Sequence, residues 1–507
     1  MTIKLHHYQA FSVNQASPII TEQSSGGPAT GGEPLALWII VIAGAILRLI
    51  ALGQHSFWLD EIASVAIARR PWPVFWHFLW HDEGNMALYY VLLKPWLHLG
   101  YGEATVRLLS AIPGIASIPL MYVLGARLFG NTIGLLSATF LALNTCAIAV
   151  SQEARAYSFA VLLVLLSTYL FARLIDGSLR DGVPAPSFPP AVAYGFVAGL
   201  TCYFHYFGVL VPAAHAASVL AVPAKQRPWK PLAPAWAIIA VFASPILWLI
   251  HAQDVGHISW LQPPSWLELY HLGVFLAAGG GKVVGAILLG LELALAVFFV
   301  AILLKVWRGG DEGRLHWHYA LVASAVVTPV VITLLASLVR PAFYHRFLII
   351  CLPGWLLMVA VGVAHLPSRL WRGAAIVCIC GLSLVATVHL DTHETEDWRA
   401  VVRYLLAHTR PADRILYYQS VGEFAGESYR DWLQSPNAPR PSATGIDPAR
   451  PGWQREIGHA PRVWLVLYRT TLDAAGSSAI EQELSKTYVN RGVLFFSGIT
   501  AVEYEAR

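Results

Sequence analysis

Charged residues are scarce in this chain. Only 13% of its 507 residues are Asp, Glu, Lys or Arg, and 56% are hydrophobic. An ordinary soluble domain carries about 25% charged residues, so the composition excludes a protein that is soluble over its whole length. It predicts a polytopic membrane protein with one soluble part. The net charge of +4 is small and no basic stripe is present, so nothing indicates nucleic-acid binding.

Cysteine is also rare. The five cysteines all lie in apolar runs, which favours small buried hydrophobic residues over a disulfide framework or a metal site. Residues 1–34 lack the apolar core of a signal peptide and are polar, with many Gly, Ser, Gln and Pro residues. We therefore expect them to form a disordered cytoplasmic tail.

Long apolar runs, by contrast, are frequent, and about eleven of them are candidate transmembrane helices. They cover residues 35–53, 105–126, 131–150, 156–175, 190–204, 207–223, 232–251, 286–306, 317–339, 345–364 and 373–390. Loops rich in Lys and Arg alternate with loops that are not, which places the N-terminus in the cytoplasm. We expect a transmembrane domain over residues 35–390 in the plasma (inner) membrane. Its first external loop, 54–104, would consist largely of interfacial helices.

The composition changes after residue 390. Charges become common, and short apolar runs at Arg414–Tyr418 and Arg462–Tyr468 predict strands between helices. Residues 430–460 are rich in Pro, Ser and Gly and predict one long loop. We expect residues 391–507 to form a small extracytoplasmic α/β domain. The predicted fold class is thus a polytopic α-helical membrane protein with a small C-terminal α/β domain.

The predicted topology collects unusual polar residues at the external ends of the spans. Two acidic residues side by side at a lipid boundary are electrostatically costly, and ionisable groups near membrane depth are candidates for function. Solvated helix ends, snorkelling arginines and interfacial Tyr or His side chains remain the alternatives. The candidates are Asp60, Glu61, Glu153, Arg155, His205, Tyr206, His345 and Arg346, with His81, Asp82 and Lys94 as further candidates.

Carboxylates and guanidinium groups at one outer face indicate a cavity for an anionic, lipid-linked substrate. Arginine binds phosphate with permanently charged, bidentate donors. A carboxylate can accept the proton of an attacking hydroxyl group, and it can stabilise an oxocarbenium-like transition state. One carboxylate base and phosphate-binding arginines are sufficient for a single inverting displacement at a glycosyl phosphate.

Several motifs also follow one another in a familiar order. They are Trp58-Leu59-Asp60-Glu61-Ile62-Ala63, Leu88-Tyr89-Tyr90, Arg107-Leu108-Leu109-Ser110, Ser151-Gln152-Glu153-Ala154-Arg155-Ala156-Tyr157, His205-Tyr206-Phe207-Gly208, Tyr344-His345-Arg346-Phe347 and Glu396-Asp397-Trp398-Arg399. With them the chain resembles the GT-C-fold, polyprenyl-phosphate-sugar-dependent glycosyltransferases of family 39, which include protein mannosyltransferases and aminoarabinose transferases. One departure is that Asn85-Met86-Ala87 stands where many members have His-Pro-Pro before Leu-Tyr-Tyr.

The resemblance implies a membrane glycosyltransferase that moves a hexosyl or pentosyl group from a polyprenyl-phosphate-linked donor to a glycan, lipid or protein acceptor. It implies Asp60 as the leading general base, with Glu61 second. Glu153 and Arg155 would line the donor site with His205 and Tyr206, and Arg346 would bind the donor phosphate near His345.

The resemblance implies no nucleotide sugar and no obligatory metal. A divalent cation bound by the acidic run Asp391–Asp397 remains an alternative to a solvated linker. The alternative function is that of a membrane transporter or lipid flippase. That function predicts charges at mid-membrane depth and helices broken at corresponding positions of two halves.

Overall fold

The structure is a computed structural model that describes residues 32–179, 188–252, 261–281, 283–308, 314–391, 396–418, 420–434, 439–468 and 474–507. Nearly all of the predicted N-terminal tail lies outside these residues. So do residues 392–395 of the acidic run, so the structure does not test a cation site there.

The helices before residue 392 form the first part of the fold. They are α1 Glu33–Leu49, α2 Leu59–Arg69, α3 Trp72–His81, α4 Ala87–Trp96, α5 Glu103–Phe129, α6 Asn131–Leu143, α7 Thr145–Ser151, α8 Tyr157–Ser178, α9 Phe188–Phe204, α10 Leu210–Val219, α11 Trp229–Ala252, α12 Trp266–Ala278, α13 Val283–Arg308, α14 Arg314–Ser337, α15 Leu352–Ala364 and α16 Arg369–Asp391. Short 3₁₀ helices, among them Tyr206–Val209 and His345–Cys351, precede α10 and α15.

The predicted apolar runs coincide with these helices. Among the described residues, seven helices are long and apolar enough to cross a membrane, or eight if the bent pair α6–α7 is one span. The two 17-residue helices α1 and α9 and the short segment Tyr206–Val219 correspond to the other three predicted runs. The multi-span helical architecture is confirmed, and the count of eleven stays a prediction.

The run 131–150 is not one straight helix but bends by 57° between α6 and α7. The bend leaves backbone groups without helical partners, and side chains satisfy them. The buried Arg48 of α1 donates to the carbonyl oxygens of Leu141 and Ala142, at 2.9 Å each, while Asn144 Oδ1 accepts the Ala147 N–H group at 2.9 Å. The bend directs α7 towards the turn that carries Glu153 and Arg155.

The first predicted external loop contains the short helices α2, α3 and α4. Trp72, Trp76 and Trp80 lie on α3 with large exposed surfaces, as expected for a helix at a membrane interface. Lys94 of α4 donates to the carbonyl oxygen of Ala68 at 3.0 Å and to that of Arg70, so it caps the C-terminal end of α2.

The C-terminal part is a small α/β unit. Its elements are α17 Trp398–His408, β1 Arg414–Tyr418, α18 Ser420–Leu433, β2 Ser442–Ile446, β3 Arg462–Tyr468, α19 Ala474–Thr487, β4 Tyr488–Phe496 and β5 Ile499–Ala506. The strand order is β2-β1-β3-β5-β4, with β1 parallel to β2 and β3, and β5 antiparallel to β3 and β4. The small C-terminal domain is confirmed, while its exact boundaries stay a prediction.

The prediction of one long loop over residues 430–460 is wrong. This segment contains the end of α18, the strand β2 and a 3₁₀ helix, Trp453–Glu456. The sequence of β2, Ser-Ala-Thr-Gly-Ile, has little intrinsic preference for a strand. It is extended because it pairs in parallel with β1, with Thr444 opposite Leu416, and such pairing outweighs local propensity.

Candidate active site

Asp60 lies in the first turn of α2, where a negative charge is favoured by the helix dipole. Its side chain is 40% exposed, and Oδ2 lies 3.6 Å from Nη2 of Arg155. The carboxylate is therefore open to a second molecule while it is held beside a fixed positive charge.

The neighbouring Glu61 is in a different situation, because its side chain is fully buried. Arg107 donates to both of its carboxylate oxygens, at 2.8 and 2.7 Å. The backbone N–H groups of Ala154, at 2.7 Å, and Trp58, at 3.2 Å, donate to the same carboxylate. Glu61 thus ties the turn 153–155 to the start of α2. Its prediction as a second general base does not fit this geometry, since an acceptor would have to displace these donors.

The buried pair of Glu61 and Arg107 predicts a large stability effect. Replacing Glu61 with Ala leaves the Arg107 guanidinium buried without its counter-charge, a change that typically costs about 3–5 kcal/mol. We expect a clearly lower thermal unfolding temperature for Glu61→Ala in detergent micelles. Glu483→Ala is the control, because its pair with Lys486 is at the surface. Equal unfolding temperatures for the two variants would contradict this assignment.

Arg155 is the hub of a polar cluster around Asp60. Nη1 lies 3.4 Å from each of three oxygen atoms: the Asp60 carbonyl, Ser64 Oγ and the Tyr90 hydroxyl. Ser110 Oγ donates to the backbone carbonyl of Arg155 at 2.9 Å, which fixes the turn. Burial opposes its charged form, but Tyr90, Asp60 and neighbouring acidic groups raise the pKa of Arg155, so it keeps its charge.

Arg346 brings a second guanidinium to the same place. It is ion-paired with Glu153 and lies 5.0 Å from the ring centre of Trp58 and 5.2 Å from that of Tyr157. Aromatic faces attract a cation and help to hold it in place. Burial raises the pKa of Glu153, and the positive charge of Arg346 opposes this shift. Since Trp58 is two residues before Asp60, the start of α2, the turn after α7 and the start of the 345–351 segment converge.

His205 is a buried, neutral member of this region. Burial, assisted by the charge of Arg155, lowers the pKa of His205 to about 3. Nδ1 accepts the Phe207 N–H group at 3.2 Å, so the ring proton belongs on Nε2.

The backbone N–H of Tyr206 donates to Asn85 Oδ1 at 3.1 Å. Asn85, which departs from the family pattern, therefore connects the α3–α4 turn to the turn before α10.

His345 lies next to Arg346 in sequence, but its ring packs in an aromatic environment. Its ring centre is 4.5 Å from that of Tyr344, 5.3 Å from Phe275 and 6.2 Å from His271. These contacts place His345 at the border of the cluster, against α12.

The three further candidates have other surroundings. His81 is exposed, and its Nδ1 lies 2.9 Å from the carbonyl oxygen of His77. Asp82 is the exposed residue that ends α3. Lys94 caps α2 at the end opposite to Asp60. The structure gives these three residues contacts outside the cluster around Asp60, and their place in the site stays a prediction.

Several members of the cluster were not predicted as site residues. Trp58 and Tyr90 stand inside recognised motifs, but their contacts with the two arginines depend on the folded arrangement. Arg107 stands in a recognised motif as well, and the fold makes it the buried partner of Glu61. In the described ranges, no group of three or more His, Cys, Asp or Glu side chains is placed to hold a metal ion.

Comparisons with known proteins agree with this fold. Residues 88–249, about a third of the chain, match the family model described as dolichyl-phosphate-mannose-protein mannosyltransferase. No curated protein matches the chain in sequence.

Solved structures give wider coverage. The chain is similar to apo ArnT from Cupriavidus metallidurans, with a TM-score of 0.58, 12% identity, and coverage of 94% of this chain and 98% of that one. ArnT bound to undecaprenyl phosphate gives a TM-score of 0.57, 13% identity and the same coverage. The chain is also similar to the archaeal oligosaccharyltransferase AglB from Archaeoglobus fulgidus in complex with an inhibitory peptide and a dolichol-phosphate. That match has a TM-score of 0.55 and 11% identity, and it covers 93% of this chain and 74% of the AglB chain. The chain has the GT-C fold, and the resemblance predicted from its motifs is confirmed.

Proposed function

We propose that this GT-C-fold membrane protein is a glycosyltransferase. It would move a sugar from a polyprenyl-phosphate-linked donor to an acceptor at the extracytoplasmic face, with inversion at the anomeric carbon. The observation that carries the proposal is the open carboxylate of Asp60, 3.6 Å from the buried Arg155, with Arg346 over the adjacent Trp58 ring. This arrangement would provide a base and two phosphate-binding charges in one cluster.

Each group has a chemical task in this proposal. Asp60 accepts the proton of the acceptor hydroxyl group as its oxygen attacks the anomeric carbon. The bond from that carbon to the phosphate oxygen breaks, and the polyprenyl phosphate leaves with the electron pair. Arg346 and Arg155 stabilise the charge that develops on the leaving phosphate. A single displacement of this kind inverts the anomeric centre.

The donor class is supported by the guanidinium groups and by the neighbours. Arg346 and Arg155 are both largely buried, and a desolvated guanidinium binds a phosphate monoester or diester strongly. In the ArnT and AglB structures the bound lipids are undecaprenyl phosphate and dolichol-phosphate. We further propose that the protein lies in the plasma (inner) membrane, with its N-terminus in the cytoplasm and residues 391–507 outside.

The test is a transfer assay with the purified protein in proteoliposomes. Undecaprenyl-phosphate-linked hexoses and pentoses are supplied as donors, with lipid, glycan and peptide acceptors. We expect transfer from at least one donor, with a product whose anomeric configuration is opposite to that of the donor. A product with retained configuration would contradict the single displacement. Flipping of the lipid donor without any transfer would support the transporter alternative instead.

A further inference from the structure

The start of α2, which carries Asp60, is held by a carboxylate from the C-terminal part of the chain. Glu396 Oε2 accepts the backbone N–H of Leu59 at 3.1 Å. Leu59 is the first residue of α2, and N–H groups in a first helical turn have no partner within the helix. Glu396 therefore caps this helix from a segment 337 residues away in sequence.

Glu396 is itself fixed by two elements of the C-terminal unit. The indole N–H of Trp398, at the start of α17, donates to Oε2 at 3.1 Å. The hydroxyl group of Tyr468, at the end of β3, donates to Oε1 at 2.6 Å. All three side chains are buried, and the Trp398 and Tyr468 rings pack with their centres 5.2 Å apart. The carboxylate therefore has a defined position that the sheet and α17 determine together.

A second contact holds the residues immediately before α2. The Tyr429 hydroxyl of α18 accepts the Phe57 N–H at 2.6 Å and donates to Glu103 Oε1 at 3.2 Å. Arg399 pairs with the same Glu103 at 3.2 Å, and its backbone N–H donates to Ser56 Oγ at 3.1 Å. The C-terminal unit thus binds both sides of Trp58, the residue whose ring lies under Arg346.

We propose that Glu396 is a positioning residue for the transfer reaction, and that the C-terminal domain acts on the active site by fixing the start of α2. Asp60 follows Leu59 directly, so a shift of the capped N–H group moves the base relative to Arg155 and Arg346. Those two arginines come from other parts of the chain, the 151–157 turn and the 345–351 segment, whereas Glu396 bonds to the start of α2, to Trp398 and to Tyr468. Loss of the cap is therefore expected to lower kcat more than donor affinity. This inference rests on the proposed function, since kcat is the rate of that transfer.

Five variants separate positioning from folding. Glu396→Ala removes the cap, and Glu396→Gln keeps an oxygen for Leu59 and Trp398 while its amide group faces Tyr468. Leu59→Pro removes the N–H donor and the leucine side chain without breaking the helix, because proline suits the first position of a helix and Trp58 before it is extended, with ψ of 170°. Leu59→Ala controls for the lost side chain. Glu423→Ala is the matched control, since this carboxylate accepts a backbone N–H from Gly445, at 2.8 Å, within the C-terminal unit.

We expect Glu396→Ala and Leu59→Pro to lower kcat by about 10-fold or more, because a displaced catalytic group loses its productive geometry. KM for the lipid donor should change little. Glu396→Gln should retain most of the activity, and Glu423→Ala and Leu59→Ala should resemble the unmodified protein. Values of kcat per folded protein that are equal in Glu396→Ala and Glu423→Ala would overturn the proposal. So would a loss in Glu396→Ala that appears only in KM.

Amide hydrogen exchange provides a readout that does not depend on the reaction. Glu396→Ala is expected to speed exchange in a peptide that covers Phe57–Glu61, whereas Glu423→Ala should leave that peptide unchanged. If the unmodified protein transfers no sugar, the proposed function fails and the exchange result alone decides whether Glu396 fixes α2. Unchanged exchange in Glu396→Ala would overturn the positioning role in either case.

Discussion

Replacement of Asp60 with Asn is expected to lower the rate of sugar transfer by about 10²- to 10⁴-fold, the usual contribution of a positioned general base. Asn has nearly the same shape, and its amide oxygen can stay beside Arg155, so the arrangement of the site should change little. What it loses is the ability to accept a proton from the acceptor hydroxyl. The effect should therefore appear in kcat, with little change in the affinity for undecaprenyl phosphate.

The control for this prediction is Asp447→Asn, which makes the same chemical change at a surface residue of the C-terminal unit. A variant that neutralises both acids, Asp60→Asn with Glu61→Gln, should be as slow as Asp60→Asn among the molecules that remain folded. Activity close to that of the unmodified protein in the double variant would eliminate a carboxylate base in the first loop. The mechanism would then need another proton acceptor.

Much of the architecture could be predicted because membrane helices leave a strong local pattern. The run 105–126 is long and apolar enough to be recognised by itself, and it coincides with α5. The broken run 131–150 shows the limit of that approach. At the bend, Arg48 donates to the carbonyl oxygen of Ala142, 94 residues further along the chain, and so satisfies a group that the bend frees.

The site was predictable as a set of residues but not as a set of roles. Asp60 and Glu61 are adjacent and chemically alike, and only the family resemblance ranks Asp60 before Glu61. The difference arises from Arg107 and the Ala154 N–H, which enclose Glu61 and leave Asp60 open. Similarly, Lys94 is a further candidate for the site in the sequence, yet its ammonium group donates to the carbonyl groups at the end of α2.

The contribution of the C-terminal unit could not be derived from sequence patterns. The Glu396-Asp397 pair reads as a solvated acidic linker when only its neighbours in the chain are considered. The partners of Glu396, which are Leu59 and Tyr468, are 337 and 72 residues away in sequence. Hydrophobic periodicity indicates which face of a helix or strand is buried. It does not indicate which distant N–H or O–H group donates a hydrogen bond to a buried carboxylate.

Replacement of Arg346 with Ala is expected to weaken binding of undecaprenyl phosphate by about 10- to 100-fold. A hydrogen bond to a charged group is worth about 1.5–3 kcal/mol, and each 1.4 kcal/mol corresponds to about a tenfold change in affinity. Arg346→Lys should give an intermediate affinity, because an ammonium group keeps the charge but cannot bind phosphate in a bidentate way. Direct binding of the lipid phosphate to the purified protein measures the effect without any turnover.

Glu153 makes this prediction more specific. In the structure the Glu153 carboxylate is ion-paired with the guanidinium of Arg346. The carboxylate would therefore compete with a phosphate for the same N–H donors. Glu153→Gln should therefore raise the affinity for undecaprenyl phosphate, and the same change made in the Arg346→Ala background should have no such effect. A double-mutant cycle of the four proteins measures this coupling.

Two controls separate phosphate recognition from binding of the polyprenyl chain. Arg369→Ala, at the start of α16, removes a guanidinium in a predicted cytoplasmic loop and should leave the affinity unchanged. Undecaprenol, which lacks the phosphate, should bind the Arg346→Ala variant and the unmodified protein equally. Equal affinity of these two proteins for undecaprenyl phosphate would show that Arg346 does not contact the donor. In that case the pair with Glu153 would serve only to join the 151–157 turn to the segment before α15.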